Sequence, residues 1–329
     1  MMDPQARRAR REERRRAIRR RRLGVLALLL VALAAIVAVV LAAGSGSSSP
    51  TAKDAASAAR ARPSAHGTSG AAKLAPGVAS LATPAGRGSP GHEAVPILMY
   101  HVIAPPPAGA PFPGLYVPPE EFAAQMQALK AAGWHAVTLD QLQANWTRGA
   151  PLGPGKPIVL SFDNGYNSQY TQALPVLRRI GWVGVENIQL TGLPPSQGGL
   201  GEDQVRGLLA AGWELDTQGF SHADLVTLDA QALHYQVADA RSVIQQRYHV
   251  PVNWFCYPSG HYNAPVIAAV RAAGYAGSTT VVPGWAHPED DPYRLHRLRV
   301  LGGTEPQELL SLIEGIRDDP PAPASYTGA

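Results

Sequence analysis

The chain has 329 residues, 45% hydrophobic and 16% charged, with a formal net charge of +4 and a single cysteine. That length accommodates one large domain with additions, and one cysteine excludes an internal disulfide. The positive charge is local: residues 1–22 hold eleven Arg against Asp3, Glu12 and Glu13, a net of +8, so the rest of the chain carries −4. A folded basic nucleic-acid-binding surface is therefore not expected, and no nucleic-acid partner is assigned.

After the basic head (1–22), residues 23–43 form an uncharged and almost wholly apolar run. About 20 such residues cross a bilayer as a helix. The adjoining Arg cluster predicts a cytoplasmic head by the positive-inside rule, and a signal anchor that leaves the remainder outside the cell membrane. A cleaved signal peptide is the competing reading, with Val40-Leu41-Ala42 as its small-residue site, although secretory apolar cores run shorter. Residues 44–92 are rich in Ala, Gly, Ser and Pro and predict a flexible stalk, because they offer too little apolar surface to offset ordering entropy.

From residue 93 to 317, short apolar runs alternate with helical patterns. Val95 to Tyr100 reads as a strand. Pro119 to Gly133 reads as a helix, with Phe122, Met126 and Leu129 on one face and Gly133 as its stop. Strands follow at 158–162, 184–190, 213–216, 254–257 and 275–280, separated by helices at 173–180, 202–211, 229–248 and 264–273. A last helix spans 305–316. The alternation implies parallel strands with helices outside. No glycine-rich dinucleotide fingerprint follows the first strand. Residues 318–329 are Pro/Ala-rich and predict a disordered tail.

Chemistry-bearing residues collect where strands end. Ser161-Phe162-Asp163-Asn164-Gly165-Tyr166 follows the run Ile158-Val159-Leu160. Glu214-Leu215-Asp216-Thr217-Gln218-Gly219-Phe220-Ser221-His222 follows another strand, and Phe255-Cys256-Tyr257-Pro258-Ser259-Gly260 a third. Met99-Tyr100-His101 closes the first. This ordered set resembles the polysaccharide deacetylase family (the NodB-homology, carbohydrate esterase type) over about residues 95–315.

The resemblance implies a distorted (β/α)7 barrel, here preceded by one transmembrane helix. It implies hydrolysis of N-acetyl groups on amino sugars of an envelope or cell-wall glycan, assisted by zinc or a similar divalent ion. In the family's first motif, T-F-D-D-G-Y, one Asp is a general base and the next binds the metal. Asp163 keeps the first, and Asn164 stands at the second. The family's two metal-binding His fall on Gln218 and His222. The implied metal site is thus Asn164, Gln218 and His222, with weak neutral amides at two of three positions.

Asp216 shares strand parity with Gln218, and is either a substitute carboxylate or a backbone-bonding residue at the strand end. Cys256 is either a soft ligand or a small buried residue. Cys256 also occupies the place of the Arg that orients the catalytic Asp in the family. For the general acid, His296 in Leu295-His296-Arg297-Leu298-Arg299 and His101 are rivals. Tyr166, Tyr257, Pro258, Gly260 and His261 are candidate substrate contacts, and Trp182, Trp213 and Trp285 candidate stacking surfaces. Two functions remain: a membrane-anchored deacetylase, and an inert pseudo-deacetylase that binds glycan or an envelope partner and needs no metal.

Overall fold

The computed structural model describes residues 88–191, 193, 198–317 and 319–328. The basic head, the apolar run and the stalk up to residue 87 lie outside the described residues. Among the described residues, no helix is long and apolar enough to cross a membrane.

The strand–helix alternation is present. In chain order the elements are β1 (Val95–Tyr100), α1 (Pro119–Ala131), β2 (Trp134–Val137), α2 (Leu139–Arg148), β3 (Lys156–Asn164), α3 (Leu174–Ile180), β4 (Val185–Ile188), α4 (Glu202–Ala210) and β5 (Glu214–Thr217). Next come α5 (Ala230–His234), which continues through a π-helical turn into α6 (Ala240–Tyr248), then β6 (Trp254–Cys256), α7 (Ala264–Ala272), β7 (Gly277–Thr279), β8 (Trp285–Ala286), β9 (Leu298–Arg299) and α8 (Pro306–Gly315).

Local chemistry sets these limits. Helix α1 starts on Pro119 with Glu120 and Glu121 in its first turn, and buries Phe122, Gln125, Met126 and Leu129 along one stripe. Helix α2 opens with a reciprocal capping box: Thr138 Oγ1 accepts from Gln141 N (3.2 Å), while Thr138 N donates to Gln141 Oε1 (2.9 Å).

The strands form one sheet in the order β7-β6-β5-β4-β3-β1-β8, with β2 on the N-terminal half of β3 and β9 on β1. All neighbours are parallel except the β1–β8 pair. Residues 295–299 bridge its two ends: Leu295 pairs with Thr279 of β7, and Leu298 and Arg299 pair with Leu98 and Met99 of β1. The parallel sheet thereby curves into a barrel-like layer with helices packed on it.

Strand parity divides the core. Val95, Ile97, Val159, Val185, Trp254 and Leu295 pack together inside the sheet's curve. Leu98, Tyr100, Leu160, Phe162, Leu215 and Phe255 belong to the larger cluster shared with the helices. In that layer Phe162 lies 4.8 Å from Trp213 and 5.7 Å from Tyr100 between ring centroids. Trp182, Trp213 and Trp285 are all buried in this core, so none offers a face to a sugar.

Two expectations change at the ends of the domain. Residues 88–93, assigned to the stalk and its boundary, lie along α2, with Gly88 N donating to Arg148 O (3.0 Å) and Gly91 N to Asn145 O (2.9 Å). Residues 319–328, expected to be a disordered tail, run back over the domain, where Tyr326 exchanges two backbone hydrogen bonds with Tyr262. Prolines at 320, 321 and 323 restrict this stretch in advance, which lowers the entropy lost on docking.

Candidate active site

The functional residues meet at the C-terminal ends of β1, β3 and β5 and in the loop after β6. Strand β3 ends on two successive left-handed residues, Asn164 (φ 78°) and Gly165 (φ 85°). A Cβ at Gly165 would also stand 3.0 Å from Ile188 Cγ1, so glycine is required there. Asn164 tolerates this conformation better than most residues. The turn keeps Asp163 pointing inward while the chain leaves the barrel.

Asp163 is anchored through both carboxylate oxygens. Arg297 grips its carboxylate with two parallel hydrogen bonds, Nη1 to Oδ1 (2.8 Å) and Nη2 to Oδ2 (2.9 Å). Asn187 Nδ2 donates to Oδ1 (2.9 Å), and Cys256 Sγ lies 3.5 Å from Oδ2. Arg297 is itself fully buried and donates to Thr280 O (2.7 Å) and Ser161 Oγ (3.1 Å). Burial alone would raise the Asp163 carboxyl. The Arg297 charge, helped by His101 and the Arg297 and Asn187 hydrogen bonds, overrides it and holds the group at about 2.

Asp163 faces a cavity of about 600 Å³, lined also by His101, Asn164, Tyr166, Gln189, Gln218, His222, Tyr257, Gly260 and further residues. His101 is pushed down to about 4, chiefly by burial, against the opposing pull of Asp163. His222 is lowered as well, again first by burial. Both rings are therefore neutral near pH 7. His101 Nδ1 is buried without a hydrogen-bond partner, and His222 Nε2 meets only Ser259 N, at 3.4 Å. Asn164 Nδ2 donates to Gln189 Oε1 (3.3 Å), and the buried Gln218 Oε1 has no partner.

His296 is not part of this pocket. Its ring is buried on the far side of the bridging segment, with Nδ1 3.1 Å from Trp285 O. Parity is the reason: in an extended chain alternate side chains face opposite ways. Leu295, Arg297 and Arg299 turn inward, so His296 and Leu298 turn outward. Of the two rivals for the general acid, His101 alone lies in the pocket.

Asp216 also fails as a metal substitute. Its Oδ1 accepts from Asn253 N (3.1 Å) and Trp254 N (2.8 Å), which binds β5 to the start of β6. Burial, helped by the nearby Asp140 charge, raises its pKa, and it does not line the pocket. Cys256 is buried against Arg297 Nη2 (3.2 Å), and burial pushes its thiol up, far from a reactive thiolate. The Tyr257 ring reaches the pocket, but its hydroxyl is spent on Tyr293 O (2.9 Å). Pro258 and His261 lie outside the pocket, and His261 Nδ1 pairs with Asp224 Oδ1 (3.0 Å).

The donor set does not fit a tightly held zinc ion. Asn164, Gln218 and His222 supply two neutral amides and one imidazole, whereas zinc prefers anionic carboxylate or thiolate and imidazole donors. Among the described residues, Asp163 is the one carboxylate that lines the pocket, and Arg297 occupies both of its oxygens. Among the described residues, no group of three or more His, Cys, Asp or Glu is placed to hold a metal ion.

Sequence reasoning missed Arg297, Asn187 and Gln189. Asn187 was signalled by the polar pair Glu186-Asn187 inside a buried strand. Arg297 was signalled by the alternation Leu295, Arg297, Arg299. Neither signal says which partner waits on the facing strand.

Comparison with known proteins finds relatives in sequence and in fold. Residues 152–278 match the family model described as polysaccharide deacetylase. The Bacillus subtilis (strain 168) protein YxkH, named as a polysaccharide deacetylase, is 29% identical over 224 residues, covering 68% of this chain and 77% of that one. The poly-beta-1,6-N-acetyl-D-glucosamine N-deacetylase of Escherichia coli (strain K12) is 38% identical over 61 residues, 18% of this chain and 9% of that protein. Among solved structures, the Streptococcus pyogenes deacetylase PplD in complex with acetate superposes with a TM-score of 0.62 at 24% identity, covering 68% of this chain and 99% of that one.

Proposed function

The chain belongs to the polysaccharide deacetylase family, and from that premise we propose a membrane-anchored, extracytoplasmic hydrolase that removes acetyl groups from N-acetylated amino sugars of an envelope glycan. The observation that carries the reading is Asp163, paired to the buried Arg297 and lining a cavity that also holds two neutral imidazoles. The N-acetylglucosamine polymer named for the Escherichia coli relative supports the substrate class. The apolar run at 23–43 beside the Arg-rich head supports the anchor.

Amide hydrolysis needs an acceptor for a proton of water, donors for the developing oxyanion and a proton for the leaving amine. A carboxylate with both oxygens gripped by Arg297 is a weak proton acceptor, so we assign the base role expected of Asp163 to an imidazole. His222, the more exposed of the two rings, accepts the proton and returns it to the amine. Asp163 stays ionised and stabilises the imidazolium. The amide N–H groups of Asn164 and Gln218 stand on the same wall, where donors to the acetyl oxygen are required.

The test is acetate release from N-acetylglucosamine oligomers and peptidoglycan fragments. Asp163→Asn should lower the rate about 10²–10⁴-fold, the usual loss for a proton-transfer group or its charged partner. One observation favours a second reading: the two neutral amides at the expected metal positions suit a pseudo-deacetylase that binds glycan without cleaving it. Equal background release by parent and variant, with glycan binding retained, would select that reading. The anchor is tested separately by protease added to intact cells, which should digest the barrel and spare the head.

A further inference from the structure

Two groove-lining residues, Tyr326 and Gly328, come from neither the family motifs nor the catalytic strands. They belong to the stretch 319–328, which follows α8 and is tied down at several points. Arg294 Nη1 donates to Ala322 O (2.9 Å), and the Tyr262 hydroxyl donates to Pro323 O (2.8 Å). Tyr262 N donates to Tyr326 O (2.8 Å) and Tyr326 N to Tyr262 O (2.9 Å). Ala322 is buried.

The anchor itself is rigid. Tyr262 is fully buried and stacks on Tyr257 with ring centroids 5.0 Å apart, so the stretch is fixed to the loop that carries Tyr257 and Gly260 into the pocket. That loop is tightly shaped: Gly260 has φ 73°, and a Cβ there would run into Val281. Gly328, at φ 88°, passes so close that a Cβ would lie 3.2 Å from His261 Nε2. The Tyr326 ring is half-buried and 6.3 Å from the His261 ring. Its position in the groove is thus set by backbone bonds at the residue itself, leaving the ring to serve as a surface. A second apolar lip, from the loop after β1, holds Leu115 and Phe112, the latter 68% exposed.

Sugar rings present apolar C–H faces edged by hydroxyls, and they bind flat aromatic surfaces in polar clefts, where a rigid aromatic ring gives large contact area at low entropic cost. We propose that residues 319–328 form a sugar-binding wall of this groove, with Tyr326 as the stacking face for a sugar flanking the reacting one. An oligomeric glycan is thereby preferred to a single amino sugar. This inference rests on the glycan reading of the site and adds a chain-length requirement to it.

The experiment measures dissociation constants of the full-length protein for N-acetylglucosamine dimer and hexamer by calorimetry, with acetate release recorded in parallel. In Tyr326→Ala the hexamer-to-dimer preference should fall about tenfold, the loss typical of one well-packed aromatic anchor. Tyr326→Phe should retain it. Tyr326→Leu fills the same volume without a flat face and should also lose it, which keeps the test decisive if the alanine variant folds poorly. The expected kinetic signature is a raised KM for hexamer with kcat nearly unchanged.

An unaltered preference in folded Tyr326→Ala and Tyr326→Leu overturns the inference, even where acetate is still released and the hydrolase reading stands. A Tyr326-dependent preference without acetate release keeps the inference and removes the hydrolase reading. A parent protein that binds neither oligomer overturns the inference.

Discussion

The two walls of the pocket are built on opposite principles. On one, a single carboxylate receives three side-chain N–H donors and a thiol contact, is almost wholly buried, and is held by an arginine that is itself buried and bonded to the barrel backbone. On the other, Asn164, Gln218 and His222 carry no fixed charge, and the Gln218 amide oxygen and the His222 ring are nearly free of protein partners. The first wall is a structural element as well as a chemical one. A buried ion pair leaves a large uncompensated charge when either member is removed. The second wall costs the fold little, so its residues are free to be set by what enters the groove.

That contrast can be broken first at Arg297. Replacing it with Met leaves Asp163 ionised and unpaired in the barrel, and the protein should lose about 3–5 kcal/mol in a denaturant titration. Gln218→Ala, on the other wall, should change stability by less than about 1 kcal/mol. Similar losses for the two variants would show that the ion pair carries no more of the fold than the amide wall does.

A smaller effect should appear with pH. His101 has its folded pKa depressed to about 4 from an ordinary value of 6.5, so the unfolded chain binds its proton more readily. Stability from this group is therefore fully present above about pH 6.5 and falls as pH drops toward 4, by about 3 kcal/mol in all. His101→Asn should flatten the stability curve across that window. The Asp163 contribution falls lower, between the ordinary value of 3.8 and about 2, because its folded pKa is depressed by Arg297. An unchanged slope between pH 6.5 and 4 in His101→Asn would mean that this ring is not the group titrating.

The smallest expected change sharpens the comparison on the neutral wall. Asn164→Asp combined with Gln218→His returns a charge and an imidazole to a frame that still holds His222. Zinc affinity measured by calorimetry should rise at least about 10–100-fold, the scale on which metal-site residues act. No gain over the parent would show that these positions do not converge on one ion.

Much of the fold was readable in the residues. Helix α1 follows from Pro119, the acidic first turn and the Phe122, Met126, Leu129 stripe, and β1 and β3 follow from unbroken apolar runs. The unit β2–α2 was missed. Trp134–Val137 is short and only half-buried at its centre, so it carries no clean apolar run. The Thr138/Gln141 capping box that opens α2 was nevertheless present in the sequence. Docking of residues 319–328 was missed because composition reports what a segment can bury by itself. It does not report the carbonyls that Arg294 and Tyr262 would find there.

The sequence by itself determined the strand-end positions of Asp163, Gln218, His222 and Tyr257, because local apolar runs and turn residues decide where a strand stops. It also determined the two amide substitutions and hence the weakness of any metal site, since ligand chemistry belongs to the residue and not to its surroundings. Only the tertiary structure decided that Arg297 serves Asp163, that His101 and not His296 faces the groove, and that Asp216 is consumed by β6. Each of those outcomes depends on which side of a strand a residue turns to and on which strand lies opposite. Both are set by sheet register across segments as far apart as Asp163 and Arg297, which no local pattern encodes.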